Sequence, residues 1–442
     1  MRIRGLLIAA LVLAVLAGGV WWSNKAKKAE EGKTRPDEAP KILSVPEDQI
    51  KTIEIRKSGG ETTVVRKNDA GNWEMTAPKP LSVDKDAVSS MTSTLSSLSS
   101  DRLIEEKAAD LAAYGLKAPG LEVTVARKDG KTHKLQVGDE APTGGSFYAR
   151  LDGDPRVFTI ASFNKTSLDK TSRDLRDKRL LTFDQDKLVR LELAAKGQPI
   201  QFGKNAQNEW QIIEPRPLRA DSFQVEELIR KVKDAKMDTS VAEEDAKKAA
   251  AAFSGGTKVA VAKVTDAGGA QELEVRKDKD KNYYARSSVV EGVHKVASDL
   301  GEGLDKGLDD FRNKKLFDFG WNDPSKVEIR EGARQVVYEK SGDKWMAAGK
   351  QMDSSTIQTV IDKLRDLSSI KFLEKGGGAP LVEATVTSNE GKRVEKVAIT
   401  KQGNNHFAQR DKEPTVYELD GKVVEELQKA IGGVKEAPPA KK

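Results

Sequence analysis

Residues 73–84 read WEMTAPKPLSVD, and the chain writes the stretch again. Residues 210–221 read WQIIEPRPLRAD, and residues 345–353 carry a shorter form, WMAAGKQMD. Trp precedes Asp by eleven residues in the first two copies and by eight in the third, which also lacks the Pro pair. Trp73, Trp210 and Trp345 are 137 and 135 residues apart. That period is domain-sized, several times longer than a solenoid repeat.

The residues after each Asp have the spacing of a helix. Val88, Met91, Leu95 and Leu98 come after Asp84; Val225, Leu228, Ile229, Val232 and Ala235 after Asp221; Ile357, Val360, Ile361, Leu364 and Leu367 after Asp353. Steps of three and four residues place these side chains on one stripe, ready to cover one face of a sheet. Asp84, Asp221 and Asp353 each stand where a carboxylate can accept the free N–H groups of the first helical turn.

Outward from this frame the text alternates apolar and polar residues, the period of strands. Residues 50–55 and 62–66 precede Trp73, and residues 188–193 and 199–203 precede Trp210. Pro78 and Pro80 are expected to end pairing after the Trp73 strand, and an Ala/Lys/Glu-rich connection to come after each helix. Strands then resume at 121–127, 133–137, 147–151 and 157–160, and at 258–264 and 272–276. A short polar helix is expected from Leu168 to Lys178. Tyr148-Ala149-Arg150 matches Tyr284-Ala285-Arg286, and Leu175-Arg176-Asp177-Lys178 matches Phe311-Arg312-Asn313-Lys314. Arg150 to Arg176 and Arg286 to Arg312 are both 26 residues. In the third copy Phe407-Ala408-Gln409 takes the Tyr-Ala-Arg place, and the linking Arg motif is absent.

The expected fold is therefore α+β. An N-terminal transmembrane helix precedes three tandem homologous units, each a mostly antiparallel sheet packed on one long helix. The boundaries are residues 1–22 for the anchor, 23–40 for a charged linker, 41–183, 184–319 and 320–434 for the units, and 435–442 for a disordered tail.

The anchor rests on residues 5–22, GLLIAALVLAVLAGGVWW, uncharged throughout. As a helix they would reach about 27 Å, close to the roughly 30 Å hydrocarbon core. Trp21 and Trp22 fall where interfacial aromatics belong. A cleaved signal peptide competes, but no clean small-x-small site comes after the apolar run. A short basic N-terminus before one large portion is the layout of a signal anchor. It puts the body of this single-pass protein outside the cytoplasm. Residues 23–40, charged and Pro-bearing, hold the body off the bilayer.

Of the 442 residues, 33% are charged and 5% aromatic, and the net charge is +6. Half of that excess lies in the first 40 residues, so the body is nearly neutral with interspersed signs. It lacks the basic face of a nucleic-acid binder. Cysteine is absent, which removes disulfides, thiolate metal sites and a Cys nucleophile.

The segment ILSVPEDQIKTIEI, the Trp73…Asp84 stretch with its prolines, Tyr114-Gly115-Leu116 with Pro119, Tyr148-Ala149-Arg150 and residues 174–178, DLRDK, together resemble the DUF4340 family of bacterial envelope proteins. The resemblance covers nearly the whole body, most clearly residues 41–236. It implies no catalytic residues and no cofactor. Genes of that family commonly lie beside gliding-type ABC transporter components, so it implies protein partners in an envelope ABC transport complex.

Each candidate site has a plain structural alternative. Trp73, Trp210 and Trp345 could stack on a ligand, but as large apolar bodies beside a helix they read as core anchors. Asp84, Asp221 and Asp353 read as caps before catalytic acids. Arg150, Arg176, Asp177, Arg286 and Arg312 form a candidate latch between units or a partner contact, because Arg matches carboxylates with a two-pronged fork. His133, His294 and His406 do not occupy matching repeat positions and lack metal-ligand spacing. No Walker A, G-x-S-x-G or G-x-G-x-x-G pattern occurs. The expectation is a non-enzymatic scaffold or accessory subunit. An extracytoplasmic binding module for glycan, peptide or lipid comes second, and a hydrolase third.

Overall fold

The computed structural model describes residues 40–239, 246–321 and 324–438. The expected anchor at 5–22 and all but the last residue of the linker lie outside these. Among the described residues no helix is long and apolar enough to cross a membrane.

The described chain is α+β, with antiparallel sheets of nine, eight and nine strands, a two-stranded ribbon, and several helices. It divides into two compact units, one ending at Lys178 and one beginning at Arg179. The first unit holds one nine-stranded sheet; the second holds the other two large sheets.

All three large sheets are wound alike. In the first, the chain starts mid-sheet at Ile50–Lys57 and steps outward through Thr63–Lys67 and Trp73–Ala77 to Leu81–Ser82. The helix Lys85–Ser96 then carries it back, and Leu121–Arg127 pairs beside the starting strand, Ile53 opposite Val125. A second meander runs out the other way through Thr132–Glu140, Ser146–Leu151 and Val157–Ala161. The second sheet closes at Leu191 opposite Val264, the third at Val327 opposite Val386. Alternation makes this possible: Ile53 and Ile55 are buried while Glu54 and Arg56 face outward.

Each core draws on a large sheet and the helix after its Asp, and the third core also takes in Val424, Leu427 and Ile431 of a second helix. Val88, Met91 and Leu95 are buried with Ile53, Val65 and Val123. On the helix Ser222–Lys233, Val225, Leu228, Ile229 and Val232 meet Leu191, Phe202 and Ala262. On Ser354–Asp366, Ile357, Val360, Ile361 and Leu364 meet Val327, Ala384 and Val397. Burying each such side chain contributes about 1.5–3 kcal/mol against the chain's lost entropy.

Several expectations are corrected. Leu98 is buried but lies past the helix, in a short strand paired with Lys41–Leu43. Pairing does not stop at the prolines: Leu81 returns opposite Met75, and Leu218 opposite Ile212. The Ala77-Pro78 and Glu214-Pro215 peptide bonds in these turns are cis. In the third sheet the missing three residues come out of the same turn. Ala348 and Gly349, both at positive φ, join Lys344–Ala347 to Lys350–Met352. That is the conformation a two-residue hairpin loop needs.

The single polar helix from Leu168 to Lys178 is two short helices, Ser162–Leu168 and Ser172–Leu175. Thr171 and Asp174 cap the second reciprocally, which ends the first. The connection after Asp221 contains a helix, Ala246–Gly255. A further helix, Gly421–Gly432, comes after the last strand. Residues 435–437 are not frayed: Met352 bridges Glu436, and the Ala437 N–H donates to the Gln351 carbonyl at 2.9 Å.

Two boundaries also move. Leu180, Leu181 and Phe183 belong to the core of the second sheet, and Leu316, Phe317 and Phe319 to that of the third. Each lead-in pairs with the segment after its own long helix: Arg179 bridges Lys236, and Lys315 bridges Ser368.

Candidate functional site

Asp84, Asp221 and Asp353 cap the helices Lys85–Ser96, Ser222–Lys233 and Ser354–Asp366. Asp84 Oδ1 accepts the N–H groups of Asp86 and Ala87 at 3.0 and 3.2 Å. Asp221 accepts from Gln224 at 3.2 Å, and Asp353 from Ser355 at 2.8 Å. The Ser355 hydroxyl bond comes first among the causes holding the Asp353 carboxyl below the usual range. Each cap is also gripped from behind. The Asp84 N–H donates to Leu175 O at 2.8 Å, Asp221 to Phe311 O at 2.8 Å, and Asp353 to Lys435 O at 2.9 Å. Val83, Ala220 and Met352 bridge Arg176, Arg312 and Glu436. In the first sheet the Asp177 N–H completes the bracket on Ser82 O. The fixed spacing to Arg176 and Arg312 is thus a backbone requirement, a returning segment that clamps the start of the helix.

Trp210 and Trp345 are buried; Trp73 is half-buried at the rim of its core. Each pairs across the strand with a lysine, Lys67, Lys204 or Lys340. The Lys67 and Lys204 ammonium groups lie 5.1 and 5.2 Å from the ring centres of Trp73 and Trp210. Such a contact covers the ring from solvent.

The arginines separate. Arg150 donates to Gln136 Oε1 at 2.8 Å, on the neighbouring strand. Arg286 occupies the same register and donates to Glu274 at 2.8 Å, with Phe253 5.3 Å beneath it. Gln136 and Glu274 each lie in the arginine's own sheet, and Phe253 lies on the helix Ala246–Gly255. Burial works to raise the Glu274 pKa, but Arg276 and Arg286 outweigh it and hold the carboxyl low. Arg312 reaches further. It is buried, its guanidinium lies 3.7 Å from the centre of the Phe372 ring, and it donates to Thr415 Oγ1 at 3.1 Å. Phe372 and Thr415 both belong to the third sheet region.

Around Arg312 is a site that sequence reasoning missed. Arg219 projects from Leu218–Arg219, at the edge of the second sheet. It pairs with Asp318 and lies 3.0 Å from Glu413, and it donates to Tyr417 Oη at 3.3 Å. Burial opposes its charge, but Asp318, Tyr417 and Glu413 outweigh that and raise its pKa. Behind it, Arg410 bonds Glu413 at 2.8 Å and Glu395 at 3.2 Å. Glu395 also accepts the Asp318 N–H at 2.9 Å, and burial pushes its pKa up. Arg393 donates to the Asp318 carbonyl at 2.8 Å and to Glu209, on the second sheet's hairpin. The second and third sheets are therefore joined through a partly buried network of alternating charge. Beside it opens a cleft of about 200 Å³.

One signal for Arg219 was visible. It replaces Ser82 of the first copy in an otherwise similar stretch. Its partners, up to 198 residues away, were not visible.

No group of three or more His, Asp or Glu among the described residues could hold a metal ion. The arrangement can clamp, cap and hold charge in fixed pairs.

Antiparallel sheets joined to capped helices, with one Trp–Asp stretch written more than once, define a protein of repeated, domain-sized α+β modules. The chain belongs to the DUF4340 family, a domain of unknown function, whose sequence model matches residues 73–209 and again 210–389. Both matches open on the Trp of the repeated stretch, so each spans most of one sheet and the first strands of the next. No curated protein matches the chain.

Proposed function

We propose that this chain is a non-enzymatic, membrane-anchored scaffold, an accessory subunit of an envelope ABC transport complex. In this reading residues 5–22 anchor it in the bacterial inner membrane. Three tandem homologous units, each a sheet on one long helix, stand in the periplasm. The partners are the permease and ATPase implied by the family resemblance; no cofactor takes part.

One observation carries the non-enzymatic reading: the carboxylates that recur are occupied in construction. The three Asp are bonded to helix N–H groups and bracketed by a returning segment. Beside Met352, Glu436 stands in the backbone place that Arg176 and Arg312 take beside Val83 and Ala220. Arg312 there reaches Phe372 and Thr415, which favours a role in construction. The test is crosslinking in native membranes, detergent extraction through a C-terminal tag, and mass spectrometry. Recovery of a permease and an ATPase in fixed ratio is expected. Recovery of the protein alone with a bound glycan or lipid would sink the scaffold reading. The cleft beside Arg312 favours the alternative, an extracytoplasmic binding module for glycan, peptide or lipid.

A further inference from the structure

The junction cleft holds donors that the charge network does not use. We propose that it binds a carboxylate group, carried by a small organic acid or by an acidic peptide. This inference needs only the cleft and is independent of the transporter reading.

A volume of about 200 Å³ lies below that of most drug-sized pockets and suits one carboxylate with a ring-sized body. Of the cationic residues on its wall, Arg219 is already balanced by Asp318 and Glu413. Arg312 is not. Its guanidinium carries five N–H donors, and its described bonds are to Thr415 and Asp309, each at 3.1 Å. The Asp309 side chain is 71% exposed, so water can take it over when a ligand carboxylate displaces it. A buried guanidinium held against the Phe372 ring is preorganised for a planar, two-oxygen partner.

Lys412 stands at the rim, exposed, on a turn with φ +63°, and has no hydrogen bond or ion pair among the described residues. The Gln211 amide on the wall likewise has no described partner. Phe372 and Tyr417 meet edge to face at 5.7 Å and give the ligand's body an apolar wall. Glu413 at the wall and Asp318 just behind it make a dianion such as phosphate a poorer fit than a single negative charge.

The test is fluorine NMR on the detergent-solubilised full chain, with 4-fluorobenzoate as the probe and 4-fluorobenzamide as its neutral counterpart. Saturable broadening of the acid, and none of the amide, is the expected result. Lys412→Gln, an exposed change that leaves the fold alone, should weaken binding several-fold. Arg312→Lys, which keeps the charge and removes the fork, should weaken it ~10-fold or more. Equal broadening of acid and amide, or binding unchanged in both variants, would overturn the proposal. Competition assigns the source. Displacement by a short peptide with a free C-terminal carboxylate, but not by its amide, means a polypeptide; displacement by simple acids alone means a small molecule.

Discussion

Asp84 is bonded through both its side chain and its backbone, and its partners explain why an Asp recurs at this place. Its carboxylate satisfies two N–H groups that a helix start leaves unbonded, while its own N–H donates to the Leu175 carbonyl. Asp84→Ala should lower stability by about 1 kcal/mol, and Asp84→Asn by much less, read as shifts in the urea midpoint. Glu274 makes a second case with a defined sign. Its folded pKa lies below the ordinary 4.5, because Arg276 and Arg286 outweigh the effect of burial. The stability it contributes is therefore complete above about pH 4.5 and is lost as pH falls through the folded value. Comparing thermal midpoints of wild type and Glu274→Gln from pH 7 to 3 checks this. The gap should stay constant at higher pH and narrow on acidification; a gap that widens would contradict the sign.

At the level of elements, the stripe after each Asp was legible because three and four-residue steps can serve only one helical face. The helix Gly421–Gly432 was written in the same code. Asp420 caps it, and Val424, Leu427 and Ile431 stand four, seven and eleven residues on. It was missed because no Trp stretch flags it. Leu427 is fully buried, so Leu427→Ala should cost about 3 kcal/mol. Hydrogen exchange should rise in Arg393–Gln402 and Asn405–Arg410 and stay unchanged in Leu121–Arg127, whose core is separate. The turn residues Ala348 and Gly349 were not legible, since only the pairing of Ala347 with Lys350 shows that both must take positive φ.

Across the molecule, the second and third sheets meet through charges that are strongest when every member is present. Removing one partner of a buried pair leaves the others desolvated and uncompensated. Arg219→Met should accordingly cost about 3 kcal/mol at the junction, since Asp318 and Glu413 would lose their shared partner. The chain has no cysteine, so spin labels can be placed cleanly at exposed Gln207 and Lys401. Their distance distribution should be narrow in wild type and broad in the variant. A distribution unchanged by Arg219→Met would remove the network's role in setting the junction.

The Trp–Asp frame, the apolar stripe of each long helix, the strands on either side and the family can all be read from the order of residues. Each of these is a matter of local period, of which side chain lands on which face. The bracket behind each cap, the lead-ins at Leu180 and Leu316, and the charge network at Arg219 exist only once the chain has folded. Local spacing cannot carry that information. A carboxylate or a carbonyl becomes the partner of a guanidinium through proximity in space, and here that proximity joins residues about a hundred positions or more apart.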